Sequence, residues 1–378
     1  MSENVEQKRL ISLDVFRGMT IAGMVLVNNP GTWSAIYSPL DHAKWNGWTP
    51  TDMIFPFFVF IMGVAIPIAL GKRLEQGVTP DVYWKIVKRS LIIFGCGLFL
   101  ATFPFYNFTK EAWIDLSTVR IMGVLQRLAL CYLFSAFIFL WFNWKNQLYI
   151  AVGLLLFYWV LMLYGGNGDL TPEGNFSGYI DRLILTENHI WKSSKVFDPE
   201  GLLSTLPAIS SCLAGVLCGT FLKTKRDDYE KVSAFFFFGV VLVALGWAWD
   251  FFFPINKSLW TSSYVVFMAG QALCFLGFCY WLIDIKGYQK WTKPFVIFGV
   301  NALALFVGSG VMARLLGLIK VGEVVDGNRL SLQQVIFNNI FLPLASLINA
   351  SLMYAICFIL VWLFLMWLLY RKRIFIKV

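Results

Sequence analysis

This 378-residue chain contains only two histidines, and one of them, His42, lies in a short polar turn, DHAKWNGWTPTD, between two long apolar runs. Imidazole is the side chain whose unperturbed pKa suits proton transfer near neutral pH, and at the mouth of an apolar bundle it suggests chemistry as well as a plain exposed loop residue. Asp52 closes the same turn in the tetrad T-P-T-D. Thr49 fits a helix N-cap, Pro50 the first helical residue and Asp52 the third, a capping-box arrangement. The same carboxylate suits a second task, orienting the His42 imidazole and stabilising its cation, as the third member of a nucleophile–base relay does. Both readings stand on sequence. The other histidine, His189 in TENHIWKSS, has no context that fixes it and reads as a bystander.

Other polar side chains fall within apolar runs, where they mark sites or interhelical contacts. Asn28 sits near the outer end of the first run, in VLVNNP. Asp14 and Arg17, three apart at its inner end, suit a one-turn ion pair, and Arg17 also suits a cytoplasmic phosphate. Gln126 and Arg127 interrupt the fourth run, Asp250 ends the seventh and Asn301 lies inside the ninth. P-loop, Rossmann, GxSxG and HExxH patterns are missing, and no metal cluster is expected.

The elements that must hold these groups are membrane helices. The chain is 58% hydrophobic and 14% charged, with a mean hydropathy of +0.68; soluble domains carry roughly 25% charged residues. The expected fold is an all-α polytopic membrane bundle of about ten transmembrane helices, at 13–30, 51–70, 88–105, 122–142, 147–164, 201–222, 233–253, 262–284, 294–317 and 351–370. Residues 1–378 read as one transmembrane domain, with 1–8 a cytoplasmic tail and 318–350 an outer loop holding a re-entrant or interfacial helix. With both termini cytoplasmic, 19 of the 31 Lys and Arg residues fall inside and nine outside, as the positive-inside rule requires. The net charge of +9 is mostly this topological signal, so nucleic-acid binding is not expected. MSENVEQKR has no signal-peptide pattern, and the first span reads as an anchor. The seven cysteines, without a CxxC pair, read as small buried hydrophobes. Long loops rich in Trp, Asn, Asp and Gly gather on the outer side, with Trp33, Trp45, Trp48, Trp113, Trp191 and Trp260 as a headgroup belt or as sugar-stacking faces.

A set of blocks, in order from about residue 9 to 303, resembles the heparan-α-glucosaminide N-acetyltransferase family, and its bacterial members most: RLISLDVFRG, MVLVNN, HAKWNGWTPTDMIFPFFVFIMG, RIMGVLQRLALCY, GYIDRLIL, FDPEGLLSTLPAISSCLAG, INKSLWTSSYV and KPFVIFGVNAL. The resemblance implies a transmembrane acetyltransferase that takes acetyl from acetyl-CoA on the cytoplasmic side and places it on a glucosamine-type amine outside. The family's active-site histidine block, HASWNG, falls on His42, and its asparagine in VFVNY on Asn28. In a bacterium this implies the inner (cytoplasmic) membrane and a periplasmic acceptor, with amine or hydroxyl left open, as is a homodimer. Two departures follow. The chain begins about eight residues before the first block, so the family's lumenal N-terminal region is not expected. The family's VGHE-type segment is here VGSG, Val307 to Gly310, so no second histidine role carries over.

On this reading His42 is the general base or the nucleophile, Asn28 a hydrogen-bond donor to the thioester oxygen, and Asp52 the orienting carboxylate. Arg17, Lys72, Arg73, Lys88 and Arg89 are the candidates for the CoA phosphates, with Arg127 a further candidate cofactor contact. The competing class is a transporter or flippase of a sugar or lipid intermediate, using Arg127, Asn301 and Asp14.

Overall fold

A computed structural model of the chain describes residues 10–107, 111–325 and 328–376. The expected cytoplasmic tail, 1–8, lies outside the described residues, as do Arg9, Lys110 and Lys377 of the charge count.

Thirteen α-helices are described: α1 Ile11–Val27, α2 Pro50–Glu75, α3 Pro80–Thr102, α4 Val124–Trp141, α5 Trp144–Gly165, α6 Phe176–Leu185, α7 Thr205–Leu222, α8 Asp228–Asp250, α9 Ser262–Cys279, α10 Lys293–Val300, α11 Ala302–Leu318, α12 Leu332–Ile336 and α13 Leu347–Arg371. A helix occupies each of the ten expected spans. Seven of the described helices are long and apolar enough to cross a membrane: α2, α4, α5, α7, α8, α13, and α9 with its π-helical extension to Ile285. α1 is shorter, at 17 residues. α3 carries Lys85, Lys88 and Arg89 near its start. The ninth expected span is not one straight helix: α10 and α11 meet at an 84° bend around Asn301. Counted as one span, that pair makes eight.

Residues 318–350 do not form a span. They hold a hairpin of Lys320–Val325 with Asn328–Ser331, the short α12 and two further short helical turns, ending where α13 begins. Phe337 and Phe341 from this segment pack against Ala350 and Tyr354 of α13.

Burial orders the bundle. α7 is the central helix, with 72% of its apolar window buried, against 22% for α5 and α8, whose outward faces carry exposed Phe157 on α5 and Phe237, Phe238 and Trp247 on α8. An apolar exterior is what lipid requires. Small residues let the helices meet closely. A Cβ on Gly63 of α2 would fall 2.0 Å from the Cys212 carbonyl oxygen of α7, and one on Gly215 of α7 would fall 2.0 Å from the Phe60 oxygen of α2. This α2–α7 pair is the spine of the molecule: the His42 turn sits at its Pro50 end, and Lys72 and Arg73 lie at the other.

Candidate active site

The His42 turn ends on α2, and the start of that helix explains its shape. Pro50 is the first helical residue, as its fixed φ and missing N–H favour. Asp52 reaches back: its Oδ2 accepts the backbone N–H groups of Thr49 and Ala43, each at 3.0 Å. The cap therefore folds the turn over the helix end. Asp52 is 1% exposed, and its other oxygen, Oδ1, lies 2.7 Å from His42 Nδ1. A carboxylate only accepts, so Nδ1 carries the proton and Nε2 presents its lone pair. Capping and orienting are thus both performed by one carboxylate, one oxygen each. The His42 side chain is about half exposed, at 48%, so solutes can reach it.

A second loop completes the site. Between α8 and α9, Gly47 N–H of the His42 turn donates to Ile255 O at 2.7 Å, and Asn256 Nδ2 donates to Asn46 Oδ1 at 3.1 Å. Gly47 has φ +92°, a conformation that suits glycine there. Asn256 also organises its own loop, accepting Leu259 N–H on Oδ1 at 2.9 Å, while its N–H meets Thr261 Oγ1 at 3.0 Å. Asp250, at the end of α8, accepts Ile255 N–H at 2.5 Å. This staple delivers Lys257. Its Nζ stands 3.0 Å from His42 Nδ1, 3.2 Å from Nε2 and 3.5 Å from Asp52 Oδ1. Burial pushes the Lys257 ammonium below the usual lysine range, against Asp52 and Glu200, which raise it. From α9, Tyr264 OH donates to the Asp52 carbonyl at 2.6 Å.

Beneath lies a charged layer. Arg120 binds Asp198, at 2.8 Å through Nε, and also pairs with Glu200. Burial acts to raise Glu200, but Arg120, Arg127 and Lys257 pull it below the usual carboxylate range. Asp181 on α6 forms no direct ion pair among the described residues, although Arg127 acts on it from a distance. Burial raises it to about 7, although Leu202 N–H donates to its Oδ1 at 2.8 Å. Arg127 is fully buried, donates to Gly201 O at 3.1 Å and to Ser204 Oγ, and lies 5.1 Å from the Trp260 ring centre.

Towards the Lys72–Arg73 end of α2 the helices part around a cavity of about 660 Å³. Arg17 and Asp14 of α1, Arg89 of α3 and Tyr132 of α4 supply its polar wall; α2 contributes Phe58, Ala65 and Leu70. Arg17 and Asp14 form the expected one-turn pair at 3.6 Å, and the Arg89 guanidinium lies 4.8 Å from the centre of the Tyr132 ring. Phe375 and Ile376 close one side. Asn301, at the bend, holds them: its Nδ2 donates to Ile374 O at 3.1 Å and its Oδ1 accepts Ile376 N–H at 2.8 Å. The buried polar residue that sequence placed inside a span is therefore a pin between the bend and the C-terminal segment.

The structure thus brings together His42 and Asp52 at one mouth and Arg17 and Arg89 at the other cavity. Lys72 and Arg73 in the last turn of α2 and Lys88 on α3 do not form part of the cavity wall, nor does Arg127. Asn28 caps the C-terminal end of α1, one turn beyond Met24 of the cavity wall, and is exposed; the described side-chain partners of His42 are Asp52 and Lys257. His189 is fixed after all, with Nδ1 2.7 Å from the Val119 carbonyl. Trp260 is neither belt nor sugar face: it is 1% exposed and donates to Ser211 Oγ at 3.1 Å. Trp45 donates to Leu170 O at 2.9 Å and packs on Phe197. Sequence reasoning missed Lys257, which it counted only as an outer basic residue, although the block INKSLWTSSYV carries it.

A half-exposed imidazole held by a buried carboxylate, on a polytopic helical bundle with an internal cavity, defines a membrane protein with a site suited to group transfer. A family model described as the catalytic region of heparan-alpha-glucosaminide N-acetyltransferase matches residues 9–248, and the chain belongs to that family. It is similar to the heparan-alpha-glucosaminide N-acetyltransferase of Mus musculus, 31% identical over 362 residues, covering 80% of this chain and 54% of the relative. It is similar also to that of Homo sapiens, 32% identical over 359 residues, covering 80% and 53%. The chain spans about half the length of these curated relatives.

Proposed function

We propose that the protein is a transmembrane acetyltransferase that moves acetyl from acetyl-CoA, entering from the cytoplasmic side, to the amine of a glucosamine-type sugar or glycan on the outer side. For a bacterial chain the membrane is the inner one, with both termini cytoplasmic. The observation that carries this reading is the His42–Asp52 pair at the outer mouth together with an internal cavity whose basic groups, Arg17 and Arg89, lie at the opposite end. The cavity's volume suits a cofactor-sized ligand. Phe58 on its wall and Asp52 are six residues apart on one helix, about 9 Å of rise.

In the reaction the amine nitrogen bonds to the thioester carbon, the carbon–sulfur bond breaks, and one amine proton passes to the departing thiolate. His42 Nε2 is the base that carries that proton, or the nucleophile that first takes the acetyl; Asp52 holds the ring in the required tautomer. Asn28, beyond the cavity wall on α1, is the amide donor proposed for the thioester oxygen. Arg17 and Arg89 meet CoA phosphates.

The test is acetyl transfer by purified protein in lipid nanodiscs, with acetyl-CoA and a panel of amino sugars and their N-acetyl and hydroxyl counterparts. Free thiol release that depends on an amino sugar is the expected result. Thiol release with no sugar dependence, or none with any acceptor, overturns the reading; uptake of a sugar by vesicles without acetylation favours a transporter.

A further inference from the structure

Lys257 is not where a loop lysine ordinarily rests. Its side chain is one-fifth exposed, at 20%, and its ammonium lies against the imidazole, within 3.2 Å of both ring nitrogens. The loop that carries it is fixed by Asp250, Asn256 and the bridge to Gly47, so the placement is built into the backbone. A purely structural ion pair with Asp52 does not account for it. Asp52 is already satisfied by Ala43, Thr49 and His42, and its oxygen is the most distant of the three Lys257 partners, at 3.5 Å.

We propose that Lys257 is a catalytic residue whose ammonium stabilises the oxyanion formed when an acyl carbon reacts at His42. Nδ1–H donates its hydrogen bond to Asp52, so the acyl carbon approaches Nε2. Its carbonyl oxygen then falls within donor reach of Nζ, which stands 3.2 Å from Nε2. As the carbon gains its fourth bond, from Nε2 or from an amine whose proton Nε2 takes, the π electron pair moves to oxygen. A Lys257 N–H donates a hydrogen bond to that oxygen and keeps its proton throughout. When the tetrahedral carbon collapses, the pair returns and the leaving group departs. A charged donor fixed in place before the reaction costs no reorganisation during it. The carboxylates of Asp52 and Glu200 favour the charged form, against the burial that disfavours it. This inference rests on the acyl-transfer reading of His42, and it gives the oxyanion a donor already in contact with the imidazole, which Asn28 is not.

Diethyl pyrocarbonate tests it without acetyl-CoA, because this reagent is itself an acyl donor that imidazole attacks through a tetrahedral oxyanion. His189→Gln leaves His42 the sole histidine. On that background, Lys257→Met is expected to slow carbethoxylation of His42 by about 10-fold or more, and Lys257→Arg to retain most of the rate. Lys257→Cys treated with bromoethylamine regains an ammonium at the same reach and is expected to recover, against the parent chain treated alike to account for the other seven cysteines. In the transfer assay Lys257→Met lowers kcat while KM for acetyl-CoA stays constant. Equal or faster carbethoxylation in Lys257→Met, or no recovery on aminoethylation, overturns the proposal. The two readings separate: Lys257-dependent carbethoxylation with no acetyl transfer by the parent removes the proposed function alone, and transfer with Lys257-independent carbethoxylation removes this inference alone.

Discussion

Around His42, every neighbouring polar group is within 3.5 Å of its partner, and the loops that carry the groups are cross-stapled by backbone hydrogen bonds. Around Arg17, the helices leave about 660 Å³ open, and most of the wall is aliphatic. The difference matches two tasks. Reacting groups gain from being held at fixed distances, since orientation is a large part of rate. A long carrier gains from room, apolar contact and a few charges at one end. On the proposed function, single substitutions at the His42 site are expected to change rate, and those in the cavity to change affinity.

The comparison breaks most visibly at His42. His42→Ala is expected to lower acetyl transfer by about 10²- to 10⁴-fold while the acetyl-CoA-induced rise in Tm persists. Asn28→Ala, further from the ring, is expected to cost about 10²- to 10³-fold if its amide meets the oxyanion. His189→Ala, whose ring is committed to the Val119 carbonyl, is expected to leave the rate near that of the parent. Turnover of His42→Ala at the parent rate removes the site.

Asp52→Asn probes both oxygens of one carboxylate. The amide keeps an acceptor for the Ala43 and Thr49 N–H groups but loses the charge facing His42 and Lys257. The expected result is a loss on the order of 10²-fold in kcat, with a stability cost of about 1 kcal/mol for the weakened cap. Thermal unfolding and kinetics on one preparation separate the two; a loss of stability with unchanged kcat assigns Asp52 to capping alone.

At the inner cavity the effect moves to binding. Arg17→Gln and Arg89→Gln are each expected to raise KM for acetyl-CoA by about 10-fold, the worth of a charged hydrogen bond, with kcat little changed. Ala65→Trp fills the cavity and is expected to abolish the acetyl-CoA-induced rise in Tm while His42 keeps its reactivity towards diethyl pyrocarbonate. A fall in kcat at unchanged KM in these variants contradicts the division between the two regions.

Sequence carried the bundle well, because apolar length is a direct physical requirement of the bilayer and each expected span has its helix. It also carried the His42 turn, since T-P-T-D at the start of an apolar run is a local signal. What it missed is set by contacts that spacing does not encode. Lys257 meets His42 from 215 residues away, and the Gly47–Ile255 and Asn46–Asn256 bridges make them neighbours. The 84° bend at Asn301 looks the same in hydropathy as a straight helix, because the residue that breaks it satisfies its amide on the C-terminal segment. His189 is held by a backbone carbonyl, which leaves no trace in side-chain pattern. Trp260 belongs by position to the outer aromatic set, yet the fold turns it inward against Arg127.

The smallest expected effect lies in the layer beneath the outer site, at Asp181. Arg120 neutralises Asp198 and Glu200 by direct contact, whereas Asp181 Oδ2 is buried with no hydrogen-bond partner among the described residues. Its folded pKa, raised to about 7 chiefly by burial, stands above the ordinary aspartate value. A carboxyl raised in this way favours the folded state below its unfolded pKa, and that contribution is lost as pH rises through about 7. The parent protein is therefore expected to lose Tm between about pH 4 and pH 7, by a few degrees for this group alone. Asp181→Asn keeps an acceptor for Leu202 N–H and cannot ionise, so its Tm is expected to be flatter over the same range. Because Asp181 does not contact His42, kcat of the Asn variant should match the parent at low pH. A variant whose Tm falls with pH as steeply as the parent's assigns the pH dependence to another group and leaves Asp181 ionised in the fold.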